Sequence, residues 1–422
     1  MQTTTPKKKK QIRTKKQVWR EFFAKLENKL INRRHFMKSS VVGMAGFSFL
    51  PFIVKRQGKN QKEKKLIYCT LGKTGIKVPV IGMGILTSGN PALMQAALDA
   101  GITHFDTTAG QPHQIHNEEM IGEVLKGVPR KSVVFGTKVH LRQDYKTGLY
   151  TEAATEDEFL KQLDMALKRL KMDYVDIVYH HMVSRKESAF HEPVMKGMEK
   201  AKKSGKARFL GITTHSNIPE VVHAAADSGF YDVVMASYNY RQKNHQLVKE
   251  ALAKAANKGL GVVAIKVIRG GLKKGEKIVN PSASLKWVLQ DPHVHATVPG
   301  ISNFDEMSVD LSVMEDLKMT NAEKNYLKKV SSLPGLYCQG CNQCMQQCSA
   351  QLPIPDLMRA YMYAYGYFQP VLAQSLIASL DLPPTLCEDC SSCPVVCINS
   401  WNIAEKIRDI IRLRDVPSGF LV

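Results

Sequence analysis

The sequence predicts an α/β protein, a (β/α)8 TIM barrel followed by a small α-helical module that holds two metal clusters. Three observations predict it: eight short apolar runs rich in β-branched residues, amphipathic helical stretches between them, and two cysteine runs of identical spacing near the C-terminus. At 422 residues the chain is too long for one ordinary domain. The expected organisation is a basic leader over 1–65, the barrel over 66–325 and the cysteine module over 326–422.

The net charge of +21 invites a nucleic-acid reading until its distribution is followed. The first 65 residues carry 19 Lys/Arg against three Glu, leaving 40 basic and 35 acidic residues for the rest. That near balance removes the case for nucleic acid. Within the leader, Arg33-Arg34-His35-Phe36-Met37-Lys38 precedes 16 uncharged residues, Ser39 to Val54. The pattern resembles a twin-arginine (Tat) export signal. The apolar stretch is short for a membrane span, which takes ~20 residues. An ordinary N-terminal anchor or a basic tail is the alternative. The signal implies the Tat translocase as a partner and delivery to the bacterial periplasm or the outer face of the cytoplasmic membrane. No A-x-A site follows the apolar stretch. Val18, Trp19, Phe22, Phe23, Leu26 and Leu30 line one face of a basic helix suited to contact with an anionic membrane surface.

The barrel strands are expected at Val78–Met83, Thr103–Thr107, Val133–Val139, Tyr174–His181, Arg208–Thr213, Val233–Tyr238, Gly261–Val267 and His295–Pro299. Between them, Thr155-Glu156-Asp157-Glu158 reads as a capping box, and Leu160, Leu163, Leu167 and Leu170 follow on one helical face. Eight β-α units over about 250 residues fit a closed barrel. A doubly wound open sheet is the alternative, but no G-x-G-x-x-G opens the first unit. In a barrel, chemistry sits at the C-terminal strand ends, and these carry Asp106, Lys138 and His181.

Cys338, Cys341, Cys344 and Cys348 read C-x2-C-x2-C-x3-C, and Cys387, Cys390, Cys393 and Cys397 repeat the spacing 49 residues later. Ile354, Asp356 and Arg359 are echoed by Ile403, Glu405 and Arg408 at the same offset, so a whole structural unit is duplicated. Zinc usually takes two separated C-x2-C pairs, whereas three closely spaced cysteines and a fourth match cluster ligation. Two [4Fe-4S] clusters on these eight cysteines are therefore expected, with zinc or disulfides as the alternatives. Tat export passes folded proteins, which a cluster assembled in the cytoplasm requires. The tail resembles a two-cluster bacterial ferredoxin, although Ser349 and Ile398 stand where those have Pro. In such ferredoxins the fourth cysteine ligates the other cluster, but the sequence leaves the pairing of Cys348 and Cys397 open. Tyr361, Tyr363, Tyr365, Tyr367 and Phe368 fall in a helical region between the runs and read as packing rather than an electron route. The ninth cysteine, Cys69, reads as inert core.

Tyr68-Cys69-Thr70-Leu71-Gly72-Lys73-Thr74-Gly75-Ile76-Lys77-Val78 resembles the opening hairpin of the aldo-keto reductases. The likeness continues through Gly101-Ile102-Thr103-His104-Phe105-Asp106-Thr107, Asn117-Glu118-Glu119-Met120-Ile121-Gly122, Gly136-Thr137-Lys138 and Asp173 to His181. It extends to Gly205–Ile212 and Val298-Pro299-Gly300-Ile301-Ser302-Asn303, covering roughly residues 66 to 320. The resemblance implies reduction of a small carbonyl, or oxidation of an alcohol, with NAD(P)(H). It implies that Asp106 and Lys138 form an ion pair that acidifies a tyrosine, that His181 orients the substrate oxygen, and that Gly300, Ser302 and Asn303 contact the nucleotide. The branch with a C-terminal ferredoxin-like 4Fe-4S module and a Tat signal is the nearest likeness.

The chain departs from that pattern at the tyrosine. Asp106 to Met120 reads DTTAGQPHQIHNEEM, with Gln111 nearest the expected place and His113 and His116 as the loop's titratable residues. Tyr145 and Tyr150 follow Lys138 in another loop. Thr214 stands where many members have the Asn that holds the nicotinamide amide, Met235 where many have Gln, and Asp310 replaces an Asn on the adenine side. No Lys or Arg follows Ser302-Asn303 to pair with a 2′-phosphate. The expectation is an exported oxidoreductase whose clusters exchange electrons with a redox partner protein or carrier. The alternative is a non-catalytic electron-transfer or partner-binding protein with a degenerate barrel site.

Overall fold

The computed structural model describes residues 65–85, 88–108, 112–144, 146–268, 280–331, 337–387, 390 and 393–421, with side chains only from 116 onward in the helix Pro112–Val124. The twin-arginine stretch, Gln111, Tyr145 and the side chain of His113 lie outside the described residues. Among the described residues no helix is long and apolar enough to cross a membrane.

Eight parallel strands follow one another around the sheet in chain order: β3 (Met83–Gly84), β4 (His104–Asp106), β5 (Val134–Val139), β6 (Val175–His180), β7 (Ala207–Thr214), β8 (Val233–Ser237), β9 (Gly261–Ile265) and β10 (Ala296–Thr297). Parallel bridges Ile81 to Thr297 and Gly84 to Gly300 join the last strand to the first, so the sheet closes into a barrel. The run expected at Val78–Met83 divides between two structures. Lys77–Pro79 (β2) pairs antiparallel with Tyr68–Thr70 (β1), and only from Val80 does the chain run along β10, where the Val80 carbonyl accepts from the Thr297 amide at 2.9 Å.

That hairpin plugs one end of the barrel. Leu71, Ile76 and Val78 pack with the inward residues Ile177, Val233, Met235, Val263 and Val298. Inside, Tyr179 takes its space from two glycines on the flanking strands. A Cβ on Gly136 would approach its ring to 2.9 Å and one on Gly211 to 2.3 Å.

The outer layer follows from capping and periodicity. Thr155 Oγ1 accepts from the Glu158 amide at 3.1 Å, and the helix Glu156–Leu170 buries Phe159, Leu163, Ala166, Leu167 and Leu170. Each buried leucine or phenylalanine among them contributes about 1.5–3 kcal/mol. Asn90, Asn280 and Asn303 cap Pro91–Asp99, Pro281–Leu289 and Phe304–Glu315 in the same way. The helix Asn321–Ser331 crosses the boundary expected at 325/326. Leu327 and Val330 pack with Met319 and Tyr240, and Glu323 pairs with Lys286, which ties this helix to the barrel.

The duplication is visible in the backbone. The helices Ile354–Tyr365 and Ile403–Ile411 begin 49 residues apart, with Ile354 and Ile403 buried at their starts. Before each, the amide of Gln351 or Ser400 donates to the carbonyl of Cys348 or Cys397, at 2.9 and 2.8 Å. Both Gln351 and Ser400 have positive φ. A third helix, Pro370–Ser379, packs on the first, and barrel and module belong to one unit, Glu63–Val422.

Candidate functional site

The strand ends bring the three expected residues to one mouth of the barrel. Asp106 ends β4 and Lys138 lies in β5, where its Nζ pairs with Asp106 Oδ2 and donates to the Thr107 carbonyl at 2.8 Å. Both side chains are almost fully buried. Burial pushes the Asp106 carboxyl up, and the Lys138 charge opposes that rise. Asp106 Oδ1 has no protein partner. Beneath the pair, Lys138 Nζ lies 5.6 Å from the Tyr179 ring centre. The Tyr179 hydroxyl is buried without a partner, and burial and Asp106 push its pKa well above the usual range. It is sealed inside the barrel, out of reach of a substrate.

His181 follows β6 directly. After it the chain turns into the left-handed region at Met182, φ 57°, and the Met182 amide is fixed by Thr213 Oγ1 at 2.9 Å. A left-handed methionine costs about 1 kcal/mol or more, offset by the contacts that define this turn. The His181 ring meets an imidazole that the sequence reading missed: His140, two residues past Lys138, with ring centres 5.5 Å apart. The signal was parity along the strand, since residues 136, 138 and 140 point to the same side. Nδ1 of each ring is buried with no partner. Burial lowers the pKa of both, His140 to about 4, and Arg359 adds to the effect on both. Both rings are therefore neutral near pH 7 and can donate hydrogen bonds.

Two of the other proton-donor candidates, His116 and Tyr150, fall among the described residues, and neither presents its polar atom to this mouth. His116 is exposed and pairs with Glu119 at 3.6 Å. Tyr150 stacks on His180 with centres 5.2 Å apart and points its hydroxyl at the His181 carbonyl, 3.4 Å away, so it supports His181 from behind. Burial raises its pKa well above the usual tyrosine range and keeps it un-ionised.

The expected nucleotide residues are engaged elsewhere. Gly300 forms the bridge to Gly84, Asn303 Oδ1 caps the Glu306 amide at 2.9 Å, and the Ser302 amide donates to Glu306 Oε2 at 2.7 Å. The N-terminus of this helix is thus met by its own carboxylate.

The cysteines interleave. Cys338, Cys341 and Cys344 line one cavity together with Cys397 of the second run, walled by Ile354, Met358, Trp401 and Ile403. Burial pushes the Cys344 thiol up to about 12, and Cys338, Cys341 and Cys397 add to that. Cys387 is raised by burial and then by Cys390, Cys348 and Cys393, which places the fourth cysteine of the first run with the second group. Among the described residues, no three or more His, Cys, Asp or Glu side chains are grouped closely enough to hold a metal ion. Cys69 donates to the His295 carbonyl at 2.6 Å, and burial raises it to about 11, as an inert thiol requires.

Residues 89–284 match the profile described as the aldo/keto reductase family. The barrel resembles an aldo/keto reductase domain. An L-galactose dehydrogenase from Arabidopsis thaliana is 25% identical over 305 residues, covering 62% of this chain and 92% of the relative. An L-glyceraldehyde 3-phosphate reductase from Escherichia coli O157:H7 is 28% identical over 318 residues, with coverages of 61% and 89%. A solved aldo-keto reductase from Bacillus halodurans shares the fold with TM-score 0.52 at 20% identity, covering 63% of this chain and 96% of that one. These likenesses make the chain an oxidoreductase, with the Asp106–Lys138 pair and the two imidazoles at the mouth of its aldo/keto reductase domain.

Proposed function

We propose that this chain is an exported iron–sulfur oxidoreductase that interconverts a small carbonyl compound and its alcohol at the mouth of the aldo/keto reductase domain, exchanging electrons through the cysteine module. The observation that carries the reading is the cavity of Cys338, Cys341, Cys344 and Cys397, because its cysteine loop docks on the mouth that holds Asp106 and Lys138. The donor set suits a [4Fe-4S] cluster. Clustered buried thiols raise one another's pKa, so they ionise together only beside a strongly positive centre. The sulfurs of a cluster site bind different irons and lie farther apart than the ligands of a single ion, consistent with the absence of a tight single-ion group among the described residues. Cys348, Cys387, Cys390 and Cys393 would hold the second cluster, crossing the two runs. When bound, two such clusters supply two electrons, one at a time, to or from a redox partner protein or carrier.

The barrel residues bind and polarise. His181 and His140 donate to the substrate oxygen as negative charge develops on it, in a buried setting where such hydrogen bonds are strong. The Asp106–Lys138 pair sets the field beneath that oxygen. Export through the Tat translocase to the periplasm or the outer membrane face rests on the leader sequence. The test is turnover of a carbonyl panel by anaerobically reconstituted protein, with the module reduced and oxidised. Activity that depends on reduction supports the proposal. A colourless protein after reconstitution, or no turnover in either state, leaves the non-catalytic partner-binding alternative.

A further inference from the structure

Of the two positions at which relatives of the aldo/keto reductase type would hold a nicotinamide amide, Met235 is packed inside the barrel and Thr214 is followed by a loop on which the cysteine module docks. Thr214 and Met235 are fully buried. Thr214 donates its hydroxyl proton to the Ser216 carbonyl at 2.7 Å, and Met235 packs inside the barrel. Over the loop that follows, Gly340 sits so close that a Cβ on it would lie 2.3 Å from the His215 carbonyl oxygen. The Asn217 amide donates to the Gly340 carbonyl at 3.0 Å. This direct backbone contact seats the module's cysteine loop on residues 215–217, at the mouth next to Thr214.

The same cover continues around the mouth. Gln339 donates to the Arg241 carbonyl at 3.0 Å and accepts from the Lys243 amide at 2.9 Å. Lys266, just past β9, lies 5.6 and 5.3 Å from the ring centres of Tyr363 and Tyr367. At the far end, Glu306 occupies the Ser302 amide, and Asp310 is buried beside it. Burial and Glu306 raise the Asp310 carboxyl to about 8. A nucleotide phosphate arriving there meets the Glu306 carboxylate, which already holds the Ser302 amide.

We infer that the cysteine module takes the place of the nicotinamide nucleotide on this barrel, so that the electron donor is a low-potential one-electron carrier rather than NADH or NADPH. Reduction of a carbonyl to an alcohol then consumes two electrons from that carrier and two protons from water. The inference rests on the proposed carbonyl chemistry for its acceptor, whereas the closed nucleotide seat stands on contacts alone.

The experiment titrates the anaerobically reconstituted full chain with NADH and with NADPH, following energy transfer from tryptophan to nicotinamide. In parallel, reduced methyl viologen and 4-nitrobenzaldehyde are mixed with the protein, and viologen oxidation and alcohol are measured. The expected result is no saturable binding of either nucleotide up to about 1 mM, with two viologens oxidised per alcohol formed. A micromolar Kd for either nucleotide, or hydride transfer from it to the aldehyde, overturns the inference and leaves the proposed function standing. Absence of nucleotide binding together with absence of viologen-driven reduction upholds the closed seat and removes the carbonyl chemistry.

Discussion

The two cysteine runs share a spacing and a following helix, yet they meet different surroundings. In the first, Cys344 is buried and the Cys338–Cys341 loop docks on barrel loops through Gln339 and Gly340. In the second, Cys390 and Cys393 are exposed, and nearby Val396 is largely open to solvent. The paired arginines show the divergence most clearly. Arg408 donates back to the Cys387 carbonyl at 3.1 Å, whereas Arg359, held by Asp356 at 2.5 Å, points its Nη1 at the sulfur of Met182 beside His181. A duplicated unit has thus been bent to serve the barrel on one side only, and that asymmetry gives the molecule an inner and an outer cysteine group.

The sharpest way to break this comparison is to remove single cysteines. Cys344→Ser and Cys393→Ser should each lower iron to about half of the full content, but Cys344→Ser should also lower the unfolding temperature more, because Cys344 packs in the module core with Leu352, Leu357 and Trp401. Cys397→Ser should reproduce the electron-spin signature of Cys344→Ser. If it matches Cys393→Ser instead, the crossed pairing is wrong.

Barrel substitutions come next in size. Lys138→Met strands a buried carboxyl and should cost about 3–5 kcal/mol of stability, measured by chemical denaturation, while iron content stays unchanged. His140→Phe should lower kcat/KM for a carbonyl substrate by about 10²-fold, the scale of one lost oxyanion donor, with His140→Gln recovering part of it. An effect under about threefold would place His140 outside the site.

The effect of pH is spread over several buried rings. Burial lowers His104 and His140 to about 4 and His180 to about 3. Each ring is neutral in the folded chain and takes up a proton on unfolding below about 6.5. The unfolded state then binds more protons, so stability is full above pH 6.5 and falls as pH drops towards 4, by up to about 1.4 kcal/mol per pH unit for each ring. Unfolding temperatures from pH 7.5 to 4.5 test this, and His140→Gln should flatten the slope. Arg359→Gln should alter carbonyl turnover, whereas Arg408→Gln should alter only the outer cluster's spectrum.

Much of this was legible in the sequence, for identifiable reasons. Strand ends at Asp106, Lys138 and His181 stood out because ionisable residues interrupt β-branched runs, and the module because eight cysteines keep one spacing. His140 was legible only through β5 parity, since it lies past the apolar run and the neighbouring β6 brings it to His181. The division of Val78–Met83 was hidden because Pro79 reads as part of a continuous apolar run until its pairing with Tyr68 is known. The helix Asn321–Ser331 runs through the expected 325/326 boundary because it is amphipathic towards the barrel, and sequence alone does not say which neighbour its apolar face meets.

The most direct test of the account is metal and sulfide analysis of protein purified without oxygen. About eight irons and eight acid-labile sulfides per chain, with the inner site still intact in Cys393→Ser, are the predicted result. Zinc in place of iron, or no labile sulfide, would contradict it.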